Sequence, residues 1–106
     1  MVISLADSLQ KLTESEHLFL EFFKHGTLSI EVYRPVNEDL QKPHAQDELY
    51  MIIAGTGDFF CGGERKPFKT GDILFVPAGV EHRFEKFSDD FVTWVIFYGP
   101  AGGEHK

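Results

Sequence analysis

Three observations predict an all-β fold, an antiparallel sandwich or barrel with at most a short N-terminal helix. Apolar runs of strand length recur along the chain, glycine turns separate them, and a two-residue period outweighs helical periodicity almost everywhere. A length of 106 residues, 42% of them hydrophobic and 11 of them phenylalanine, supports one domain over 1–106 with one core.

Residues 1–16 read as an N-terminal helix or arm. Ser4 can cap it with Asp7 in the reciprocal position, and Leu5, Leu9 and Leu12 share a face. The run Leu18 to Phe23 is strand-like and apolar on both sides, and His25-Gly26 makes a tight turn. Thr27 to Tyr33 alternates cleanly, with Leu28, Ile30 and Val32 against Ser29, Glu31 and Tyr33. The usual apolar-in, polar-out rule assigns the second set to solvent. Arg34 to Pro43 is a polar connection. Pro43 suits the entrance of a strand, so the next one is expected to begin at His44. Its period places His44, Gln46, Glu48, Tyr50 and Ile52 on one face and Asp47, Leu49, Met51 and Ile53 on the other.

Gly55-Thr56-Gly57 is a turn, 58–61 a strand, Gly62-Gly63 a second turn, and 64–69 carries the chain to Gly71. Ile73 to Val76 is a short strand. Pro77 and Gly79 then form a stiff corner that delivers His82 to the start of the next strand. Phe91 to Tyr98 is the most apolar strand, with Val92, Trp94, Ile96 and Tyr98 opposite Thr93, Val95 and Phe97. Residues 99–106 read as a flexible, glycine-rich tail.

The net charge of −7, with lysines and arginines scattered singly, argues against a nucleic-acid surface. Apolar runs stay far below membrane-spanning length, and Met1-Val2-Ile3-Ser4 opens without a secretory pattern, so a soluble cytoplasmic protein is expected. Cys61, the only cysteine, excludes an intrachain disulfide and reads as a small buried hydrophobe.

Two stretches carry the chemistry. Gly71, Pro77, Gly79 and His82 form one pattern, and His44, Glu48 and Gly55 form another upstream. The first matches without a gap the second sequence motif of the cupin superfamily of small β-barrels, with Lys86 where that motif has asparagine. The upstream stretch resembles the end of the first motif. Lys42 stands at its first-histidine position. The resemblance implies an antiparallel double-stranded β-helix (the cupin or jelly-roll barrel), with the His82 strand beside that of His44 and Glu48.

Two imidazoles and one carboxylate are a normal facial set for one divalent transition metal, whether Fe, Mn, Ni, Zn or Cu. They leave positions open for water or an oxygen-bearing molecule. The competing reading is a wet or ion-paired polar cluster without metal. For a fourth ligand, Gln46 or water ranks above Lys42, which would have to lose its proton. The resemblance implies a metal-dependent enzyme, of dioxygenase or isomerase type, acting on a small oxygen-bearing molecule inside the barrel. The alternative is a metal- or ligand-binding module without turnover. Finally, the two-sided apolarity of several strands predicts a homodimer, with Val95 and Phe97 assigned to the outer, pairing face.

Overall fold

Ser4 starts the helix as expected. Its hydroxyl accepts the Asp7 N–H at 3.2 Å, and α1 (Leu5–Ser15) follows. Eight strands follow: β1 (Phe19–His25), β2 (Leu28–Tyr33), β3 (Asp47–Ala54), β4 (Thr56–Cys61), β5 (Glu64–Lys69), β6 (Ile73–Val76), β7 (His82–Glu85) and β8 (Val92–Tyr98). The computed structural model describes residues 1–105.

The strands form two antiparallel sheets, one ordered β1-β2-β8-β3-β6 and the other β5-β4-β7. The expected all-β closed barrel is therefore corrected to an α+β arrangement in which neither sheet closes. The sheets face each other across a layer of aromatic rings: Tyr50 against Phe59 and Phe84, and Phe68 and Phe91 against Phe84. Rings of this size hold the sheets apart and fill the space between them, so the edges need not meet. The edge strand β5 also resists closure. It carries Pro67, which has no N–H to offer, among exposed Glu64, Arg65 and Lys66. Its hairpin with β4 turns on Gly62 and Gly63, both at positive φ, the geometry of a two-residue turn.

The central strands obey their alternation. Glu48, Tyr50 and Ile52 of β3 are buried, whereas Met51 is exposed. In β2 the polar face turns out to be the inner one. Ser29, Glu31 and Tyr33 pair with Phe97, Val95 and Thr93, the inward face of β8, while Val32 is fully buried with Leu12 of α1. The helix explains the inversion, because it covers the outer side of β1 and β2 and makes an apolar outer face favourable there. Val95 and Phe97 likewise pack against the inner core instead of lying outside.

Gly55, between β3 and β4, is required by space and by backbone. Its φ is +108°, and a Cβ there would lie 2.6 Å from the Phe91 Cα. The C-terminal stretch folds back: Gly102 N–H donates to the Ala45 carbonyl at 2.7 Å and Glu104 N–H to the Asp47 carboxylate at 2.8 Å. Lys106, the last residue of the expected tail, lies outside the described residues.

Candidate metal centre

The two sequence motifs are fastened to each other by backbone groups. Gly79 N–H donates to the His44 carbonyl at 2.8 Å, and Ala78 N–H donates to the Asp47 carboxylate at 2.9 Å. Asp47 thus accepts N–H groups from Glu104 and Ala78, which hold its pKa below the ordinary carboxylate value against the opposing effect of burial. This clamp sets the Pro77–Gly79 corner against the residues that precede β3, and so carries His82 to His44 and Glu48.

Those three side chains converge. One ligating atom from each of His44, Glu48 and His82 lies within 4.8 Å of the others. Glu48 comes from β3 of the large sheet and His82 from β7 of the small one, so the cluster joins the two layers. Glu48 and His82 are fully buried, and His44 is half-buried at the edge of the interior. His82 Nε2 approaches Glu48 Oε1 at 3.2 Å, and His44 Nε2 stands 3.9 Å from the same oxygen.

Polar atoms buried this deeply are normally paired. Here both carboxylate oxygens of Glu48 and Nε2 of His82 have no aligned hydrogen-bond partner among the described residues, although Glu48 Oε1 and His82 Nε2 are close. The other nitrogen of His82, Nδ1, lies 2.9 Å from the Val80 carbonyl, which can only accept. Nδ1 therefore carries a proton, and in the neutral ring the Nε2 lone pair faces Glu48, the orientation a metal-binding imidazole needs. Burial pulls the His82 pKa down, but the Glu48 contact and the Val80 carbonyl outweigh it and leave it raised. His44 is lowered, chiefly by burial, against the attraction of Glu48. Without a metal the cluster can hold a His82 imidazolium beside Glu48. With one, that proton must leave.

Gln46 is not in this group. Strand β3 begins only at Asp47, so the alternation does not extend back to it, and its amide donates to the carbonyls of Thr27 and Gly99 at 2.8 and 3.0 Å. Lys42 is exposed. Its neighbour Gln41 turns inward instead, a residue that sequence reading passed over as part of a polar connection. Gln41 Oε1 accepts the Tyr50 hydroxyl at 2.9 Å and lies 3.3 Å from His44 Nε2. Gln41 Nε2 donates to Asp39 at 2.7 Å, and the buried Asp39 accepts the Phe84 N–H at 2.8 Å and the Tyr33 hydroxyl at 2.6 Å. The chain from Phe84 through Asp39 fixes which way the Gln41 amide faces. No spacing rule could reveal this, because the loop has no period; the one hint was Asp39 and Gln41 two residues apart between Pro35 and Pro43. Cys61 pairs with His82 across β4 and β7 but is not one of the converging group, and burial first, then Glu48 and Glu64, pushes its thiol pKa up.

A cavity of about 470 Å³ opens beside the cluster, reaching it at His44 and Gln41. Its walls are largely apolar, from Leu18, Phe19, Leu40, Val95 and Phe97, with Glu31 and Tyr33 from the inner face of β2. A volume of this size is ordinary for a small-molecule site. No helix among the described residues is long and apolar enough to cross a membrane.

The comparisons agree with this geometry. Residues 29–98 match the family described as the cupin domain, a span that holds every residue of the cluster. An uncharacterised protein of Streptomyces coelicolor is 36% identical over 84 residues, covering 77% of this chain and 80% of its own. An acireductone dioxygenase of Rhodopseudomonas palustris is 31% identical over 93 residues, and the match spans 56% of that longer protein. A cupin 2 conserved barrel domain protein from Leptotrichia buccalis superposes with a TM-score of 0.66 at 19% identity, over 76% of this chain and 40% of that one. With the motif residues gathered at one interior point and the family match covering both motifs, the chain belongs to the cupin domain family.

Proposed function

We propose that this cupin binds one divalent transition metal through His44, Glu48 and His82, and is a metal-dependent enzyme of dioxygenase or isomerase type acting on a small oxygen-bearing molecule. The observation that carries the reading is the buried set itself: Glu48 Oε1, Glu48 Oε2 and His82 Nε2 have no aligned hydrogen-bond partner among the described residues, and in the neutral His82 ring the Nε2 lone pair faces the carboxylate. A cation satisfies all of them at once. The similarity to an acireductone dioxygenase supports the reaction class.

Gln41 replaces Gln46 as the candidate fourth protein ligand. Its amide oxygen lies 3.3 Å from His44 Nε2, a separation compatible with two donors on one metal, and Asp39 holds it there. Bound in this way, the ion supplies Lewis-acid polarisation of an oxygen ligand. The chain's own part is to orient and desolvate. Tyr50 keeps its hydroxyl on Gln41, buried and with a pKa raised far above the ordinary value, first by burial and then by the Glu48 charge, so it remains a hydrogen-bond donor. The exposed outer face at Met51 of β3 and along β6 supports pairing of two copies.

Elemental analysis of protein purified without added metal tests the site. About one divalent ion per chain is expected, with near-complete loss in His82→Ala and Glu48→Gln. A weaker hold, by roughly ten- to a hundredfold in affinity, is expected in Gln41→Leu. Equal metal content in wild type and the two ligand variants would remove the reading. Oxygen uptake or product formation by the loaded protein, against a panel of small oxygen-bearing compounds, then separates an enzyme from a binding module.

A further inference from the structure

The cavity beside the metal cluster has a chemical character that the family relationship does not dictate. Among the described residues its lining contains two carboxylates, Glu31 and Glu38, two imidazoles, His17 and His44, and no lysine or arginine, the side chains that keep a full positive charge above pH 7. Three aromatic rings, Phe19, Tyr33 and Phe97, stand in the same wall. Glu31 is the central feature. It projects from the inner face of β2, pairs in register with Val95 on one side and Glu21 on the other, and makes no ion pair among the described residues. A like-charged residue directly across the ladder destabilises a carboxylate there. Glu31 therefore sits half-buried on an apolar wall with repulsion beside it and no ion-pair partner among the described residues.

Such a wall suits one kind of visitor. A cation gains from the carboxylates and from the negative faces of aromatic rings at the same time, whereas an anion would be desolvated against like charge. We propose that the cavity selects a small organic cation, an ammonium-bearing molecule with an apolar body, and that Glu31 is the residue that sets this preference. The inference rests on the reading of the interior as a small-molecule site and narrows its substrate class. The ammonium end faces Glu31 and the aromatic wall, and the remainder of the molecule extends toward His44 and Gln41. No bond is made or broken in this step. It excludes small oxyanions as preferred ligands even though a metal would attract them.

The test uses three probes that share a phenyl ring and a short chain but differ in charge: phenethylammonium, hydrocinnamyl alcohol and hydrocinnamate. Affinities are read by chemical-shift titration at about pH 8, where Glu31 is ionised, on full-length protein stripped of metal by chelator. Stripping the metal lets failure of the metal reading appear in elemental analysis alone, independently of these titrations. Phenethylammonium should bind roughly tenfold or more tightly than hydrocinnamate, with the alcohol between them. In Glu31→Gln that spread should shrink to less than about threefold, while the alcohol binds as before. Should Glu31→Gln fail to fold, Glu38→Gln at the same wall must still narrow the spread. Hydrocinnamate binding as tightly as phenethylammonium in the wild type would overturn the proposal, as would an undiminished preference in a folded Glu31→Gln protein.

Discussion

Glu31 also governs how stability changes with pH. Burial first, then the charges of Glu21 and Glu48, raises its pKa from an ordinary 4.5 to about 7. A carboxylic acid raised on folding holds its proton more tightly in the native state. Its contribution is fully present below the unfolded pKa and is lost as pH rises through the folded one. Stability should therefore decline between about pH 4.5 and 7, and Glu31→Gln should remove that decline. With solvent screening of a half-exposed group, the difference between the two proteins should grow by about 1–2 kcal/mol across the window. Urea titrations at a series of pH values, with chelator present, check it; parallel pH profiles for wild type and Glu31→Gln would contradict it. At this scale the sequence was a good guide to the convergence of His44, Glu48 and His82, because the two motifs keep fixed spacings on either side of the β3 entrance and after the Pro77–Gly79 corner. It was a poor guide to Gln41 and Asp39, which reach the site through a loop whose path no periodicity records.

Among the elements, β2 turns its polar face inward for a physical reason. Alternation in Thr27 to Tyr33 was legible, but alternation tells which residues share a face, not which face is inside. That depends on what covers the strand. The outer side of β2 is covered by α1, where Leu12 packs fully buried with Val32 and Val92. Helix α1 thus frees the polar face of β2 to line the cavity and links a remote apolar contact to the site. Leu12→Ala should cost about 2–5 kcal/mol of unfolding free energy. Leu5→Ala, at a largely exposed position on the same helix, should change it by less than about 0.5 kcal/mol. Thermal or denaturant unfolding measures both, and equal effects would mean that the helix is not anchored through Leu12. Strand β5 is hard to see in the sequence for a related reason. Glu64, Arg65, Lys66 and Pro67 look like a connection because an edge strand on the smaller sheet needs no apolar face of its own over most of its length.

The outer side of the five-stranded sheet is not evenly covered, and that asymmetry bears on assembly. The helix lies over β1 and β2 and its apolar cluster reaches Ile53 and Ala54 at the end of β3, leaving Met51 of β3 and the outer side of the edge strand β6 exposed. In register there, Leu49 stands beside Phe75 and Met51 beside Ile73, with Ile96 of β8 next to Leu49. Ile73 is 66% exposed and Phe75 50%, high values for large apolar side chains on adjoining positions of a sheet. Scattered exposed hydrophobes are common, but side chains aligned across neighbouring strands form a continuous patch of the kind that marks an interface. Strand β6 adds an unpaired edge protected by neither lysine nor proline within its four residues. A second copy presents the same patch, and two-fold pairing buries both at once, leaving no surface to propagate. We place the expected pairing on this face instead of the one the sequence suggested: Val95 is buried in the core and the half-buried Phe97 packs against it, so charging either would disturb the fold. The chain has a mass of 12.1 kDa, and light scattering behind gel filtration at micromolar concentration should return twice that value. Ile73→Glu should return the single-chain mass with the circular dichroism of a folded protein. Val36→Glu, at an equally exposed loop position away from β6, should stay paired. A wild-type protein that elutes at the single-chain mass, or an Ile73→Glu variant that remains paired, would show that this face is not where two copies meet.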